Sequence, residues 1–467
     1  MTTPDQSVSK LRDSFRAGIT RPLSWRVDQL KGIEALLVEH ADDIEQALAQ
    51  DLGRPRTESF LAEVYQVLSE VRSIRRGLRR WSKDERTATP LVLRPARARV
   101  AREPIGVALV IGPWNYPINL VLAPLAAAVA AGNCVIAKPS ELAPASSSLL
   151  ARLLPRYLDE RAIVVVEGDA TTAEQLIDAP VDYIFFTGGT RIGRLVGERA
   201  ARHLTPVTLE LGGKSPAIVA EGADLKVAAR RIVWGKMLNA GQSCVAPDYV
   251  LAAAPIAASL CDEVISCLRA FYGEDPKASG DFGRIVNTAH TERLSRLLRD
   301  HGGEVIFGGE VDSQERYVAP TVVRDPDPHS ALMSEEIFGP ILPILAVEDL
   351  DAASTFVASR PSPLAIYVFS NDRDAIARVQ ASTRSGAICV NTTVHQFASK
   401  DLPFGGIGES GFGRYHGRYG YETFSHLRPI FDKPTRPDLP LTYPPYGGAR
   451  DALVRWALMP SRPFRRR

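Results

Sequence analysis

The sequence predicts an α/β protein built on open, mostly parallel sheets with right-handed crossovers. Strand-like apolar runs alternate with helix-like runs from Gly106 to Leu209, and a second such series runs from Ala217 to Val390. The length of 467 residues fits two or three domains at roughly 100–200 residues each, enough to bury a large core without disulfides or metals.

From Pro22 to about Arg80 the apolar residues Ile33, Leu36, Leu37, Ile44, Leu48, Leu61, Val64, Leu68 and Val71 recur at three- and four-residue spacing, which predicts a helical layer. Residues 88–100 alternate and carry prolines, as an edge strand or projecting arm does. Then Gly106–Ile111 reads as a buried strand, Ile118–Ala131 as a helix, Cys134–Ala137 as a strand and Ala145–Leu158 as a helix. Ile163–Val166, Tyr183–Phe186 and Val207–Leu209 continue the series as strands. A boundary is expected near Gly212-Gly213, and Ala217–Val219, Ile366–Phe369 and Ala387–Val390 are strands of the second series. The closing stretch from Leu402 to Gly413 is dense in glycine and then turns aromatic at Tyr415, Tyr419, Tyr421 and Phe424.

Composition narrows the function class. With 56 basic and 54 acidic residues the net charge is only +2, which offers no nucleic-acid footprint. Five cysteines at irregular spacing, with no Cys-x-x-Cys pair, point to neither a disulfide framework nor a zinc site, so no metal is expected. An odd, unpaired set suits a reducing compartment, and the polar start lacks a signal-peptide plan, so the expected location is cytoplasmic. Arg462, Arg465, Arg466 and Arg467 close a tail after residues 451–459. It reads as an ordinary solvated terminus in preference to a peripheral membrane contact, because a segment this short anchors weakly.

Six segments carry chemistry. In Asn239-Ala-Gly-Gln-Ser-Cys244-Val-Ala-Pro247 a lone thiol stands in a glycine-bearing turn, with Gln242 and Ser243 as polar neighbours of an accessible site. Cys244 is a candidate nucleophile, for which the sulfur must become a thiolate; taken alone it also reads as a small buried hydrophobe. In Gly112-Pro-Trp-Asn115-Tyr-Pro117, Asn115 offers a neutral amide donor to an oxyanion, or caps a loop after a strand. Glu210, between Leu209 and Leu211, has apolar flanks that raise a carboxylate toward the range of a general base; an exposed glutamate on an alternating strand has the same letters. In Ser334-Glu-Glu336-Ile-Phe338-Gly-Pro340, Glu336 can accept ribose hydroxyls and Phe338 can pack on a nicotinamide ring, while a helix-end acid and a core phenylalanine explain them equally. Phe186-Thr-Gly188-Gly189-Thr-Arg-Ile-Gly193 follows a strand and opens a helix, a place for pyrophosphate, although its spacing departs from the usual dinucleotide fingerprint. Lys138-Pro-Ser-Glu141 stands where the carboxyl edge of a sheet faces a nucleotide.

In this order the segments resemble the aldehyde dehydrogenase superfamily, from about Pro22 to about His426. The resemblance implies an aldehyde dehydrogenase-like fold: a Rossmann-like NAD(P)-binding domain over 1–85 and 102–211, an α/β catalytic domain over 212–394, a small oligomerisation arm over 86–101 and 395–430, and a tail over 431–467. It implies Cys244 as nucleophile, Asn115 with the Cys244 backbone N–H as oxyanion donors, and Glu210 as general base. It further implies Lys138 and Glu141 at the adenosine ribose, Gly188, Gly189 and Gly193 at the pyrophosphate turn, and Glu336 and Phe338 on the nicotinamide side. The wording of residues 239–249, 402–406, 414–417 and 421–426 is similar to class 3, fatty and coniferyl aldehyde dehydrogenases. That implies a homodimer acting on bulky aliphatic or aromatic aldehydes, with Tyr116 beside the substrate. Asn391-Thr392 departs from the Asn-Asp of many relatives. Glu141 favours NAD, with NADP tolerated.

The expected reaction is NAD(P)-dependent oxidation of an aldehyde to the acid through a cysteine thiohemiacetal and thioester. A coenzyme A-acylating dehydrogenase and a non-catalytic binding protein on the same fold are the rivals. Glu210 weighs against the first, since a thiol acceptor needs no water-activating base. Cys244, Glu210 and Asn115 together weigh against the second.

Overall fold

A computed structural model describes residues 4–90, 93–438 and 443–459. The chain divides into two compact bodies, Met1–Ser82 with Arg102–His426, and Lys83–Ala101 with Leu427–Arg467. Arg462, Arg465, Arg466 and Arg467, the basic tail of the sequence reading, lie outside the described residues.

The first body holds two large sheets. Its six-stranded sheet has the order Gly411–Phe412, Val207–Glu210, Tyr183–Thr187, Val107–Ile111, Cys134–Lys138, Ile163–Val165. All neighbours are parallel except the Gly411–Phe412 edge, which pairs antiparallel with Val207–Glu210. The chain starts on Val107–Ile111, builds outward one way, then returns to build the other way. This makes a topological switch point between Val107–Ile111 and Tyr183–Thr187, where doubly wound sheets bind ligands beyond the strands' carboxyl ends. The helix Asn119–Ala131 is apolar on every side and wholly buried, as a helix covered all round must be.

The second sheet has seven strands in the order Glu304–Phe307, Thr321–Arg324, Ile341–Val347, Tyr249–Ala253, Pro216–Val219, Ala365–Phe369, Ala387–Val390, with only Glu304–Phe307 antiparallel. Four of these strands were not expected from the sequence. The helical layer is present as Leu23–Glu39, Ala41–Leu52, Arg56–Ser59 and Gln66–Trp81, with a π-helical stretch Phe60–Tyr65 between the last two. A further helix, Pro4–Arg16, precedes it.

Residues 395–426 belong to the first body. Their aromatics explain why: Tyr415, Tyr421 and Phe424 are buried in its core, where Phe424 stacks on Phe185 at 5.7 Å. The second body contributes most of a three-stranded sheet, Glu85–Thr87, Arg97–Pro104, Ser425–Asp432, and the helix Ala449–Leu458. No described helix is long and apolar enough to cross a membrane.

Candidate active site

The carboxyl end of the six-stranded sheet and the approach to the second sheet's strand Tyr249–Ala253 enclose one cavity of about 230 Å³. Trp114 and Asn115 come from the turn after Val107–Ile111, Gly188 and Gly189 from the turn after Tyr183–Thr187, and Glu210 from the end of its own strand. Cys244, Glu336 and Phe338 complete it from the second sheet's side. Seven of the residues singled out in the sequence therefore meet in one place.

The loop carrying Cys244 is held in an unusual backbone. After the helix Leu225–Met237, Asn239, Ala240 and Gly241 take positive φ of 53°, 51° and 77° in succession. A side chain at Gly241 would meet the Gly339 carbonyl at 2.2 Å, so glycine is needed there both for its φ and for the close approach of the segment carrying Glu336. Gln242 is fully buried, which corrects the expectation that it dresses an accessible turn. Its amide donates to the carbonyls of Asn239 and Arg284, both at 2.9 Å, and its oxygen accepts from the Val286 N–H at 2.9 Å. The Tyr367 hydroxyl donates to the Val245 carbonyl, fixing the loop from the second sheet. Cys244 itself is only partly buried.

Asn115 is buried, and its side-chain amide donates to the Gln242 carbonyl at 3.1 Å, which ties it to the cysteine loop. An amide has two N–H donors, so one such bond leaves it a second to aim at the cavity it lines.

Glu210 is 3% exposed and neither carboxyl oxygen has a hydrogen-bond partner. Burial holds its pKa well above the usual carboxylate range, toward that of a general base. Glu336 is pushed up to about 8, first by burial and then by Asp248, against the pull of the Gly213 N–H, Lys214 and Arg293. A side chain on Gly212 would overlap its carboxylate oxygens at 2.2 and 2.3 Å. The Cys244 thiol is pushed up to about 12, by burial first and then by Glu336 and Glu210; its own backbone N–H and that of Val245 pull the other way. The sulfur thus rests as a thiol: the positive potential that would activate it is not supplied by neighbouring side chains.

Several buried polar groups here lack partners, Thr187 Oγ1, Glu336 Oε1 and both Glu210 oxygens among them. The helix Thr190–Ala201 opens at the cavity on Gly189 with no side-chain cap, and a side chain on Gly189 would point into open space. Uncapped N–H groups and the positive end of a twelve-residue helix fit a pyrophosphate. Phe338, itself at a φ of 49°, packs edge-on against Trp114 at 5.3 Å. The residues present therefore fit a nicotinamide dinucleotide.

Four expected residues do not line this cavity. Gly193 sits one turn into the helix, where a side chain would strike Leu211 at 2.5 Å; it serves helix–sheet packing. Lys138 is buried and its ammonium donates to Glu141 at 2.9 Å, so the two arrive as an ion pair at the end of Cys134–Lys138. Tyr116 lies under the Arg54 guanidinium, 4.7 Å from its ring centre. Sequence reasoning had missed His290 and Arg293, from a helix with no motif: His290 packs on Trp114 at 5.1 Å, and Arg293 donates to the Glu336 and Ile337 carbonyls.

The Aldehyde dehydrogenase family model matches residues 4–430. The chain belongs to the aldehyde dehydrogenase family. Among similar aldehyde dehydrogenases is family 3 member A2 of Mus musculus, 43% identical over 97% of this chain and 93% of that protein. The dimeric NADP-preferring aldehyde dehydrogenase of Rattus norvegicus is 44% identical over 92% of this chain and 94% of its own. The substrate-bound state of Staphylococcus aureus AldH superposes with a TM-score of 0.95 at 41% identity, covering 98% of this chain and all of that one. The fold is accordingly the α/β aldehyde dehydrogenase fold, and the protein is an NAD(P)-dependent aldehyde dehydrogenase. Nothing in these comparisons favours the coenzyme A-acylating or the non-catalytic reading.

Proposed function

We propose that the protein oxidises a bulky aliphatic or aromatic aldehyde to its carboxylic acid through a covalent bond to Cys244. The observation that carries this reading is the meeting of Cys244, Asn115 and Glu210 around one cavity at the sheet's switch point. Bound, the oxidised nicotinamide supplies the hydride acceptor and a positive charge. Cys244 gives up its proton to solvent water and its sulfur attacks the aldehyde carbon. The Asn115 amide and the Cys244 backbone N–H meet the oxyanion of the thiohemiacetal. Loss of hydride from that carbon leaves a thioester. Glu210, rehydrated once water enters, takes a proton as the water attacks, and the acid leaves as Cys244 recovers its thiol.

For the cofactor we assign the pyrophosphate to Gly188, Gly189 and the helix start behind them, the nicotinamide ribose to Glu336, and the ring's face to Phe338. Lys138 and Glu141 are assigned to the adenosine ribose, with Gly193 acting through packing. Residues 1–85 and 102–211 form the cofactor domain in this reading and 212–394 the catalytic domain. Glu141 favours NAD, while the rat relative's name speaks for acceptance of NADP. That relative is also named dimeric; Leu427 and Phe431, exposed on the strand Ser425–Asp432, suit a homodimer contact. A reducing compartment, the cytoplasm, suits a site whose working group is a thiol. Reduction of NAD and of NADP, followed at the nicotinamide absorbance across a panel of aliphatic and aromatic aldehydes, tests the assignment. Turnover that requires coenzyme A would overturn it.

A further inference from the structure

We infer that Arg54 and Glu58, on the N-terminal helical layer, are positioning residues that brace the Cys244 loop against the Asn115 turn. The inference rests on the reading of Cys244 and Asn115 as the reacting pair.

Arg54 is held between Gly53, which ends the helix Ala41–Leu52 at a φ of 59°, and Pro55, which opens the next helix. Its side chain is completely buried, an unusual place for a guanidinium. One arm pairs with Glu63 at 2.7 Å; Glu63 in turn accepts from the Ile118 and Asn119 N–H groups at 3.2 and 2.7 Å. The other two donors go to the two catalytic loops: Nη2 to the Asn115 carbonyl and Nε to Asn239 Oδ1 at 3.2 Å. Asn239 then donates from Nδ2 to the Asn115 carbonyl at 2.9 Å and to the Gln242 carbonyl at 3.1 Å. Glu58 accepts the Asn239 backbone N–H at 2.6 Å and lies 3.6 Å from the Arg54 Nε.

The brace thus grips Asn239, first of the three left-handed residues, from both its side chain and its backbone. Such a run is strained for Asn239 and Ala240 and persists only where surrounding groups over-determine it. The planar fork of arginine suits this task, since it fixes three acceptors on different elements at once. The network meets the cavity only through Asn115, and none of Arg54, Glu58 and Glu63 lines it. Its effect on chemistry passes through the placement of the Cys244 sulfur relative to the Asn115 amide.

The test compares Glu58→Ala, Glu58→Gln, Arg54→Lys and Cys244→Ala in the full-length protein, each checked for folding by circular dichroism. Misplacement by an ångström costs on the order of 10²-fold in rate, so Glu58→Ala should lose up to about 10²-fold in kcat. KM for NAD and for the aldehyde should stay within about twofold. Glu58→Gln keeps an oxygen for the Asn239 N–H and should recover most of the loss. Arg54→Lys loses the fork and should fall in kcat with the same split. Wild-type kcat in a folded Glu58→Ala, or failure of Glu58→Gln to rescue, would overturn the brace. If Glu58→Ala does not fold, a folded Arg54→Lys with unchanged kcat does so instead. An active Cys244→Ala would overturn the nucleophile reading. A dead Cys244→Ala beside an unaffected Glu58→Ala removes the brace alone.

Discussion

Glu210→Gln isolates the second half of the reaction, and its outcome follows from the site's electrostatics. The wild-type carboxyl is buried, raised in pKa by that burial and without a hydrogen-bond partner. Replacing it by a carboxamide of the same size leaves an unpaired polar group in the same buried place, so stability should change by no more than about 1 kcal/mol. Chemistry should change far more. A positioned general base contributes about 10²–10⁴-fold, and the amide cannot take a proton from water at neutral pH. Steady-state kcat should fall by that factor while hydride departure, which needs Cys244 and Asn115, continues. Rapid mixing should show a burst of one NADH per site, followed by a stall. Intact mass of the quenched protein should show the acyl group retained. If hydride transfer slows as much as overall turnover and no adduct accumulates, Glu210 acts earlier, in deprotonating Cys244, and the deacylation role is refuted.

Asn115→Ala removes one oxyanion donor and should lower kcat by about 10²–10³-fold; a rise in KM for the aldehyde at unchanged kcat would make Asn115 a binding residue instead. Glu336, pushed up to about 8, faces a thiol pushed up to about 12. At about pH 9 its negative charge opposes the thiolate, so Glu336→Gln should speed iodoacetamide alkylation of Cys244 in the cofactor-free protein; at about pH 6, where the carboxyl is protonated, the two proteins should react alike. Peptide mapping separates Cys244 from the other four cysteines. Gly241→Ala must hold a left-handed φ of 77° and displace a carbonyl 2.2 Å away. The conformation costs about 1–2 kcal/mol and the overlap about 1–3 kcal/mol, to be seen as a lowered thermal midpoint.

Much of the fold was legible because its strands announce themselves. Ala387–Val390 and Cys134–Lys138 are short, apolar and bounded by breakers, and the structure places them within a residue of the expectation. Ile341–Val347 escaped because Pro340 and Pro343 disguise a strand, and Glu304–Phe307 and Thr321–Arg324 because a charged residue, Glu304 or Arg324, interrupts each short apolar run. The helix Pro4–Arg16 has Val8, Leu11 and Phe15 at helical spacing, but among so many polar residues that the helical pattern was read only from Pro22.

The site divides along the same line. Cys244, Asn115, Glu210, Glu336 and Phe338 sit in glycine- and proline-rich segments whose odd composition marks them. Arg54 does not: a charged residue between glycine and proline reads as a surface turn, and only the arrival of Glu63, Asn115 and Asn239 from far along the chain makes it a buried hub. The raised thiol of Cys244 was likewise beyond sequence reasoning, because it depends on burial and on two carboxylates brought within reach by separate strands and loops.

The central claim is that the Cys244 sulfur makes the covalent bond. Cys244→Ala, mixed rapidly with aldehyde and excess NAD, should form no NADH and carry no adduct by intact mass, while calorimetric titration shows NAD binding close to that of the wild type. One equivalent of NADH per site from Cys244→Ala, or an acyl adduct mapped to Cys134, Cys261, Cys267 or Cys389 in the wild type, would contradict it.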